Sequence, residues 1–355
     1  MINRECGVYQ TTYEGDMAIY PVPLARYAAV GSIGVLVLLP LVLDSHQMAL
    51  VNLMILAAVG AIGLNILVGY TGQVSLGHGA FMMVGSYTAA ILTARYDVPF
   101  WLALPCGGAV AALVGVFFGI PSLRIKGLYL AIATLAAQFI IEWVINHSTW
   151  ISAGAQATIY ISTPTVFGWE INTEFRRFYM ILPAAVIAYV GALNLVRSRV
   201  GRAFIAVRDR DVAAEIIGVN IFKYKLLAFA VSSFYAGVAG ALWTYYLKIA
   251  NYEHFTLGTS VQYLAMIIIG GLGSVLGSVF GAVFITLLPI VLVYVVEGSA
   301  RLFGFEYAAI ADFLANLRLI IFGTLIILFL AIEPEGLYRL WGNVRRYFRL
   351  WPFSY

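Results

Sequence analysis

Ten long apolar stretches punctuate the chain, at residues 27–43, 48–69, 73–94, 100–120, 127–147, 178–196, 226–247, 259–272, 276–296 and 318–332. A helix needs about 20 mostly apolar residues to cross the hydrocarbon of a bilayer. The stretches are continuous rather than alternating with period two, which excludes a membrane β-barrel. The expected fold is therefore all-α, a polytopic bundle of about ten transmembrane helices. Two stretches, 259–272 and 318–332, are short, so tilted, re-entrant or longer helices are open there. Only a Gly-rich turn separates 48–69 from 73–94.

Composition agrees. Charged residues make up 11% of the 355 positions, against about 25% in a soluble domain. That is too little charge to cover a water-facing surface, and it excludes a soluble enzyme. A net charge of +4, with basic residues interrupted by apolar runs, excludes a nucleic-acid-binding protein. Cys6 lies in a polar tail and Cys106 in an apolar stretch, so no disulfide framework is expected. The first 26 residues contain Glu5, Glu14 and Asp16 without an apolar core and small-residue cleavage site, unlike a signal peptide.

Ten spans put both termini on one side, and the basic residues test that count. Arg4, Arg26, Arg124, Lys126, Arg197, Arg199, Arg202, Arg208, Arg210, Lys223, Lys225, Arg339, Arg345, Arg346 and Arg349 fall on the terminus side. Arg95, Arg176, Arg177, Lys248, Arg301 and Arg318 fall on the other. Fifteen of the 21 Lys and Arg on one side mark it as cytoplasmic. The expected organisation is a cytoplasmic tail at 1–26, a membrane domain at 27–336 with a cytoplasmic loop at 197–225, and a cytoplasmic tail at 337–355.

Three segments stand out chemically. The first, Gly63 to Phe81, places five glycines in 17 positions beside Asn65, Gln73, Ser75 and His78. Glycine weakens a helix by about 1 kcal/mol, and broken backbone at membrane depth survives only against protein or a water-filled cavity. Two readings stand: a translocation-pathway or gate element, or close helix packing through small residues with Ser75 and His78 bonded across helices. Thr134, Gln138, Gln262 and Thr286 likewise suit a polar solute path or plain interhelical bonding.

The second segment is the 197–225 loop, with seven basic residues. Val207, Val212, Ile216 and Ile217 recur at roughly helical spacing among Asp209, Asp211 and Glu215. Asp211 and Glu215 share a helix face, and Gly218 stops the helix. The three acids argue against simple adsorption to lipid, so the residues favour a docking helix for a cytoplasmic partner over a lipid-surface helix. The third segment, Gly270 to Gly281, holds a Gly277–Gly281 small-xxx-small pair for close helix approach, with a hinge at Gly270–Gly273.

Catalytic and metal chemistry are not expected. The sequence holds no Gly-Lys dipeptide and so no phosphate-binding loop of that kind. It has no Cys/His cluster at metal spacing and no nucleophile set. Glu142 and Arg318 do not make the buried relay of an ion-coupled carrier. Energy for uphill transport would have to enter from outside, through the loop. A stand-alone small-solute channel explains the Gly-rich spans equally well but explains the loop badly.

At these residues the chain resembles a known family. Gly63–Ala89, residues 201–240 and residues 266–289, in that order, look like motifs of LivM-type permeases, the membrane subunits of branched-chain amino acid ABC importers. The resemblance runs from about residue 50 to 336. It implies two inverted five-helix halves in a bacterial inner membrane and a LivH-type second permease. It further implies two cytoplasmic ABC ATPase subunits that bind the ATP and Mg, and a periplasmic solute-binding protein. The family's docking loop maps onto Arg208, Asp209, Asp211, Ala214, Glu215 and Gly218. Gly72 and Gly77 join Gly270, Gly271, Gly273, Gly277 and Gly281 as hinge or packing positions, and Asn65, Gln73, Ser75, His78, Thr134 and Gln138 as pathway candidates. The outer turn Ser152-Ala153-Gly154-Ala155-Gln156 departs from the family's Thr-Gly-Gly type. Related systems move urea, amides or other amino and organic acids.

Overall fold

The fold is taken from a computed structural model that describes residues 11–12, 27, 31, 34, 36–122, 128–152, 157–166, 169–303, 320–321, 323–324, 327–328 and 336–350. Two compact units divide the chain, Met1–Ala49 and Leu50–Tyr355. In the first, Leu39–Leu41 is a single 3-10 turn with Pro40 inside it. The expected span 27–43 therefore leaves α-helical geometry before its end; six of its positions, nearly all of the tail 1–26, the turn residues 153–156 and most of 318–332 lie outside the described residues.

The α-helices are α1 (Ser45–Thr71), α2 (His78–Tyr96), α3 (Phe100–Ser122), α4 (Leu128–His147), α5 (Glu174–Arg197), α6 (Arg199–Asp209), α7 (Asp211–Ile216), α8 (Ile221–Leu247), α9 (Leu257–Gly270), α10 (Val275–Phe303) and α11 (Gly336–Leu350), with a single further turn at Thr149–Ser152. Two ladders of two residues each complete the fold, Ile159–Tyr160 against Ile249–Ala250 and Thr165–Val166 against Trp169–Glu170, both antiparallel. The all-α expectation holds.

Among the described residues α1, α3, α4, α5 and α8 are long and apolar enough to cross a membrane; α9 and α10, bent by 120° at their junction, make a sixth if taken as one span. Two stretches have other bounds than expected. The stretch 73–94 is helical only from His78, Gln73–Gly77 being non-helical, and α2 is not among the long apolar helices. Protein covers it instead, with twelve of its nineteen residues buried. The stretch 259–272 is the fourteen-residue α9, about 21 Å long at 1.5 Å per residue. That falls short of a 30 Å hydrocarbon core.

The reversal between α9 and α10 needs glycine. Gly271 and Gly273 have φ of 120° and 77°, a region closed to most side chains. Elsewhere polar residues start the helices. The Ser198 hydroxyl accepts from the Val200 and Gly201 amides to open α6, and the Asn220 carboxamide accepts from Lys223 to open α8.

At the centre of the second unit α2, α3 and α8 pack on one another. Here backbone meets backbone: a Cβ added at Gly85 would fall on Gly237, and one added at Gly240 would fall on the Met82 carbonyl. Small residues allow this approach, and the gain is dispersion and short-range packing rather than expulsion of water. Ser86 and Thr244 then bridge α2 and α8 by a hydroxyl pair at 2.5 Å. A Gly237→Val variant should lose the folded state, since its methyls have no space and overpacking costs about 1–3 kcal/mol even where a core can yield. Gly342→Ala, at a position with nothing nearby, should elute from size exclusion like the parent protein while Gly237→Val aggregates.

Candidate functional site

The three segments singled out by sequence meet at one end of α1. Its helix ends where the Gly72 and Gln73 amides donate to the Val68 and Leu67 carbonyls, and the non-helical Gln73–Gly77 follows. Gln73, Ser75 and His78 are all buried. Gln73 Nε2 donates to Thr71 Oγ1 at 3.0 Å and to the Lys225 carbonyl at 3.3 Å, while its Oε1 has no partner. Ser75 Oγ accepts from the Gly77 amide at 3.4 Å.

A helix begun inside the protein exposes N–H groups that need acceptors, and neighbours supply them. Thr134 Oγ1 on α4 accepts from the Leu76 amide at 2.9 Å, and Gln138 Oε1 accepts from Ala80 at 2.7 Å. Ser260 Oγ on α9 accepts from Gly79 at 2.8 Å, and Gln138 Nε2 donates on to the Phe255 carbonyl at 2.8 Å. Thr134 and Gln138 thus cap the buried start of α2. Ser260 shares that role although nothing in its sequence surroundings marks it. His78 lies beside Tyr263 with ring centroids 5.3 Å apart, and its Nε2 has no partner.

Asn65 ties α1 to the α9–α10 reversal. Its Nδ2 donates to Ser278 Oγ at 2.6 Å, to the Ser274 carbonyl at 2.8 Å and to Gly271 at 3.4 Å, and its Oδ1 accepts from the Gly273 amide at 2.9 Å. Beyond the reversal the glycines pack backbone to backbone. Gly277 lies against Gly270 and Gly271, and Gly281 against Met266. Gly77 lies against the Thr134 carbonyl.

Arg208 reaches the same place from the loop. Its Nη1 donates to the Gly69 carbonyl at 2.9 Å, and its Nε donates to Asp209 Oδ1 at 3.0 Å. Its side chain passes Gly72, whose φ is 70°, and its Nη1 lies beside Gly273. The one arginine therefore lies against both breaks, its stem at Gly72 and its guanidinium at Gly273.

The loop itself differs from the single short helix expected. Arg210 is extended (φ −155°, ψ 100°) and divides α6 from α7. Asp211 is the first residue of α7, an acid in the first turn where the helix dipole favours it, and its carboxylate accepts the Val212 amide at 2.9 Å. It also lies 3.9 Å from Lys225 Nζ at the base of α8. Gly218, with φ of 90°, ends α7, and the Val219 amide returns to the Ala214 carbonyl. Val207 and Ala214 are buried, but Val212, Ile216 and Ile217 are 63%, 81% and 76% exposed. The expected docking residues thus separate into an inward set, Arg208 and Ala214, and an outward one around Glu215.

At the far end of α1 Glu174 gathers Asn52, Tyr246 and Arg177. Asn52 lies seventeen residues before Gly69, about 25 Å along the helix axis. Among the described residues no group of three or more His, Cys, Asp or Glu could hold a metal ion.

Residues 47–330 match the family model of the permease component of branched-chain amino acid transport systems. The chain belongs to this permease family. Relatives agree. The permease is 31% identical over 299 residues to the high-affinity branched-chain amino acid transport permease protein LivM of Salmonella typhimurium, covering 78% of this chain and 66% of that one. It is 29% identical over 321 residues to LivM of Escherichia coli, covering 84% and 71%. A third relative is the probable branched-chain amino acid transport permease protein LivH of Methanocaldococcus jannaschii, 29% identical over 206 residues, covering 54% and 62%. The permease thus spans about two thirds of the length of the Salmonella protein. No solved structure matches it.

Proposed function

We propose that this permease is the LivM-type membrane subunit of an ATP-driven importer. In this reading it pairs with a LivH-type permease in a bacterial inner membrane. It receives a small polar solute, a branched-chain amino acid, from a periplasmic binding protein. Two ATPase subunits dock on the cytoplasmic side and bind the ATP and Mg. The reading includes ten spans in two inverted halves, with both termini cytoplasmic.

The observation that carries it is the pairing of an outward apolar α7 with an inward Arg208. Exposed Val212, Ile216 and Ile217 on a strongly basic loop outside the apolar helices form a patch that a soluble partner can cover. Arg208, at the end of α6 beside α7, holds the Gly69 carbonyl. A push on α7 therefore reaches the backbone breaks at Gly72 and Gly273 without passing through a flexible tether. Gly336 of α11 also packs against Gly271, so the loop and the C-terminal helix share one end of the bundle, as the basic-residue count requires of a cytoplasmic face.

The Ile216→Asp, Ile217→Asp double variant tests the docking. Each carboxylate would have to be desolvated in a covered patch. The ATPase subunits should co-purify with the parent and be lost, at least tenfold, from the variant, with the permease itself still folded because both side chains face outward. Retention of the ATPases at the parent ratio would remove α7 from the docking surface. The channel reading predicts solute flux through this permease alone in liposomes, which the importer reading does not.

A further inference from the structure

The family match ends at residue 330, and α11 follows at Gly336–Leu350. Its sequence, Gly-Leu-Tyr-Arg-Leu-Trp-Gly-Asn-Val-Arg-Arg-Tyr-Phe-Arg-Leu, carries four arginines and no acid. At 100° per residue, Leu337, Leu340, Trp341, Val344 and Phe348 share one side of the helix. The arginine positions 339, 346 and 349 fall on the other, and position 345 lies at its edge. Fifteen residues make about 22 Å of helix, too short to span a bilayer.

The helix is fixed at its start. Gly336, with φ of 72°, packs on the Ile269 carbonyl and the Gly271 amide, closer than any Cβ would permit. Leu337 packs on the core, and the Trp341 ring stands edge-on to Phe280 with centroids 6.0 Å apart. Beyond these contacts the apolar side stays open: Leu340, Trp341 and Val344 are 41%, 53% and 46% exposed.

We infer that α11 lies in the plane of the membrane as a binding surface for anionic phospholipid, with its arginines on the headgroups and Trp341, Leu340 and Val344 at the acyl boundary. The charge complementarity is one-sided. Four cations without an acid suit a negatively charged lipid surface, which attracts juxtamembrane basic segments. The α7 helix, by contrast, carries Asp211 and Glu215 among its apolar residues. A basic side opposite an apolar side holding Trp and Leu is the pattern of an interfacial helix, held by buried apolar area together with attraction to anionic lipid. Because Gly336 sits on Gly271, the depth of α11 in the headgroups is passed directly to the reversal between α9 and α10.

The test uses the full chain in lipid nanodiscs, made either of phosphatidylcholine alone or of phosphatidylcholine with phosphatidylglycerol. A nitroxide is placed by Val344→Cys after Cys6→Ser and Cys106→Ser. In discs with phosphatidylglycerol the label should be accessible to oxygen and shielded from a water-soluble nickel relaxant, and phosphatidylglycerol should co-purify with the chain. Replacing Arg339, Arg345, Arg346 and Arg349 together by Gln should raise nickel accessibility several-fold and remove the bound phosphatidylglycerol. Replacing all four by Lys should restore both, which a misfolded helix would not do. Equal shielding in the two kinds of disc would overturn the headgroup recognition. Shielding that appears only when the ATPases or a second permease are added would show α11 to be a protein-docking helix and overturn the lipid assignment.

Discussion

Asn65→Leu will unfold the reversal between α9 and α10 at a markedly lower temperature than the parent protein. The change keeps the number of heavy atoms and the branch at Cγ and suits a membrane helix, so what it chiefly removes is the carboxamide's hydrogen bonding. Four hydrogen bonds go with it, to the Gly271 and Ser274 carbonyls, the Ser278 hydroxyl and the Gly273 amide. Hydrogen bonds between membrane helices are worth about 0.6 kcal/mol each on average. Four such bonds, together with a Gly273 amide left without an acceptor, come to about 3–5 kcal/mol, since an unsatisfied buried donor costs roughly 1–3 kcal/mol. Ser278→Ala removes one of the four and should cost well under half as much. Thermal unfolding of the two variants in one detergent measures the ratio. Equal midpoints would show that Asn65 is not what holds the reversal.

The second large effect is functional. In the importer proposed above, Arg208→Ala should leave ATP hydrolysis running while solute uptake falls about tenfold, the equivalent of about 1.4 kcal/mol of coupling between sites. A hydrogen bond to a charged donor contributes roughly 1.5–3 kcal/mol, and the lower end applies because the Arg208 side chain is 38% exposed. Arg208→Lys, which reaches one acceptor but cannot also hold Asp209 in the planar fork, should lie between. The decisive quantity is solute moved per ATP hydrolysed in proteoliposomes. If that ratio is unchanged in Arg208→Ala, the guanidinium bridge between the loop and Gly69 carries no motion.

Much of the membrane architecture was legible because apolar runs report spans directly. The stretch 48–69 corresponds to α1 at Ser45–Thr71, and 226–247 to α8 at Ile221–Leu247. The boundaries moved outward where polar residues still fit a helix end, as with the Asn220 cap. What composition does not encode is depth. His78, Ser86, Tyr87 and Thr93 make α2 too polar for an isolated span, yet protein rather than lipid surrounds it, and the sequence gives no sign of which neighbours do the covering. The break before His78 was visible as glycine density.

The candidate site was less legible for a related reason. Thr134 and Gln138 stood out as polar groups in an apolar helix, but their partners Leu76 and Ala80 are each 58 residues distant, beyond any local pattern. Arg208 was read with its acidic neighbours as part of a docking surface. Its place at the end of α6 turns it inward, and only the break at Arg210 lets α7 face the other way. That break is the extended backbone of Arg210, a choice between two helical continuations that spacing alone leaves open.

The contact of Gly85 with Gly237 has a mechanical corollary. Side chains between two helices act as bearings, because they can change rotamer and let one helix slide over the other. Where backbone rests on backbone no such freedom exists, so α2, α3 and α8 form a single stiff plate. Any stroke delivered at α7 must then be taken up at the joints flanking the plate, Gly72 on one strut and Gly271–Gly273 on the next. Arg208 is the pin that passes through both.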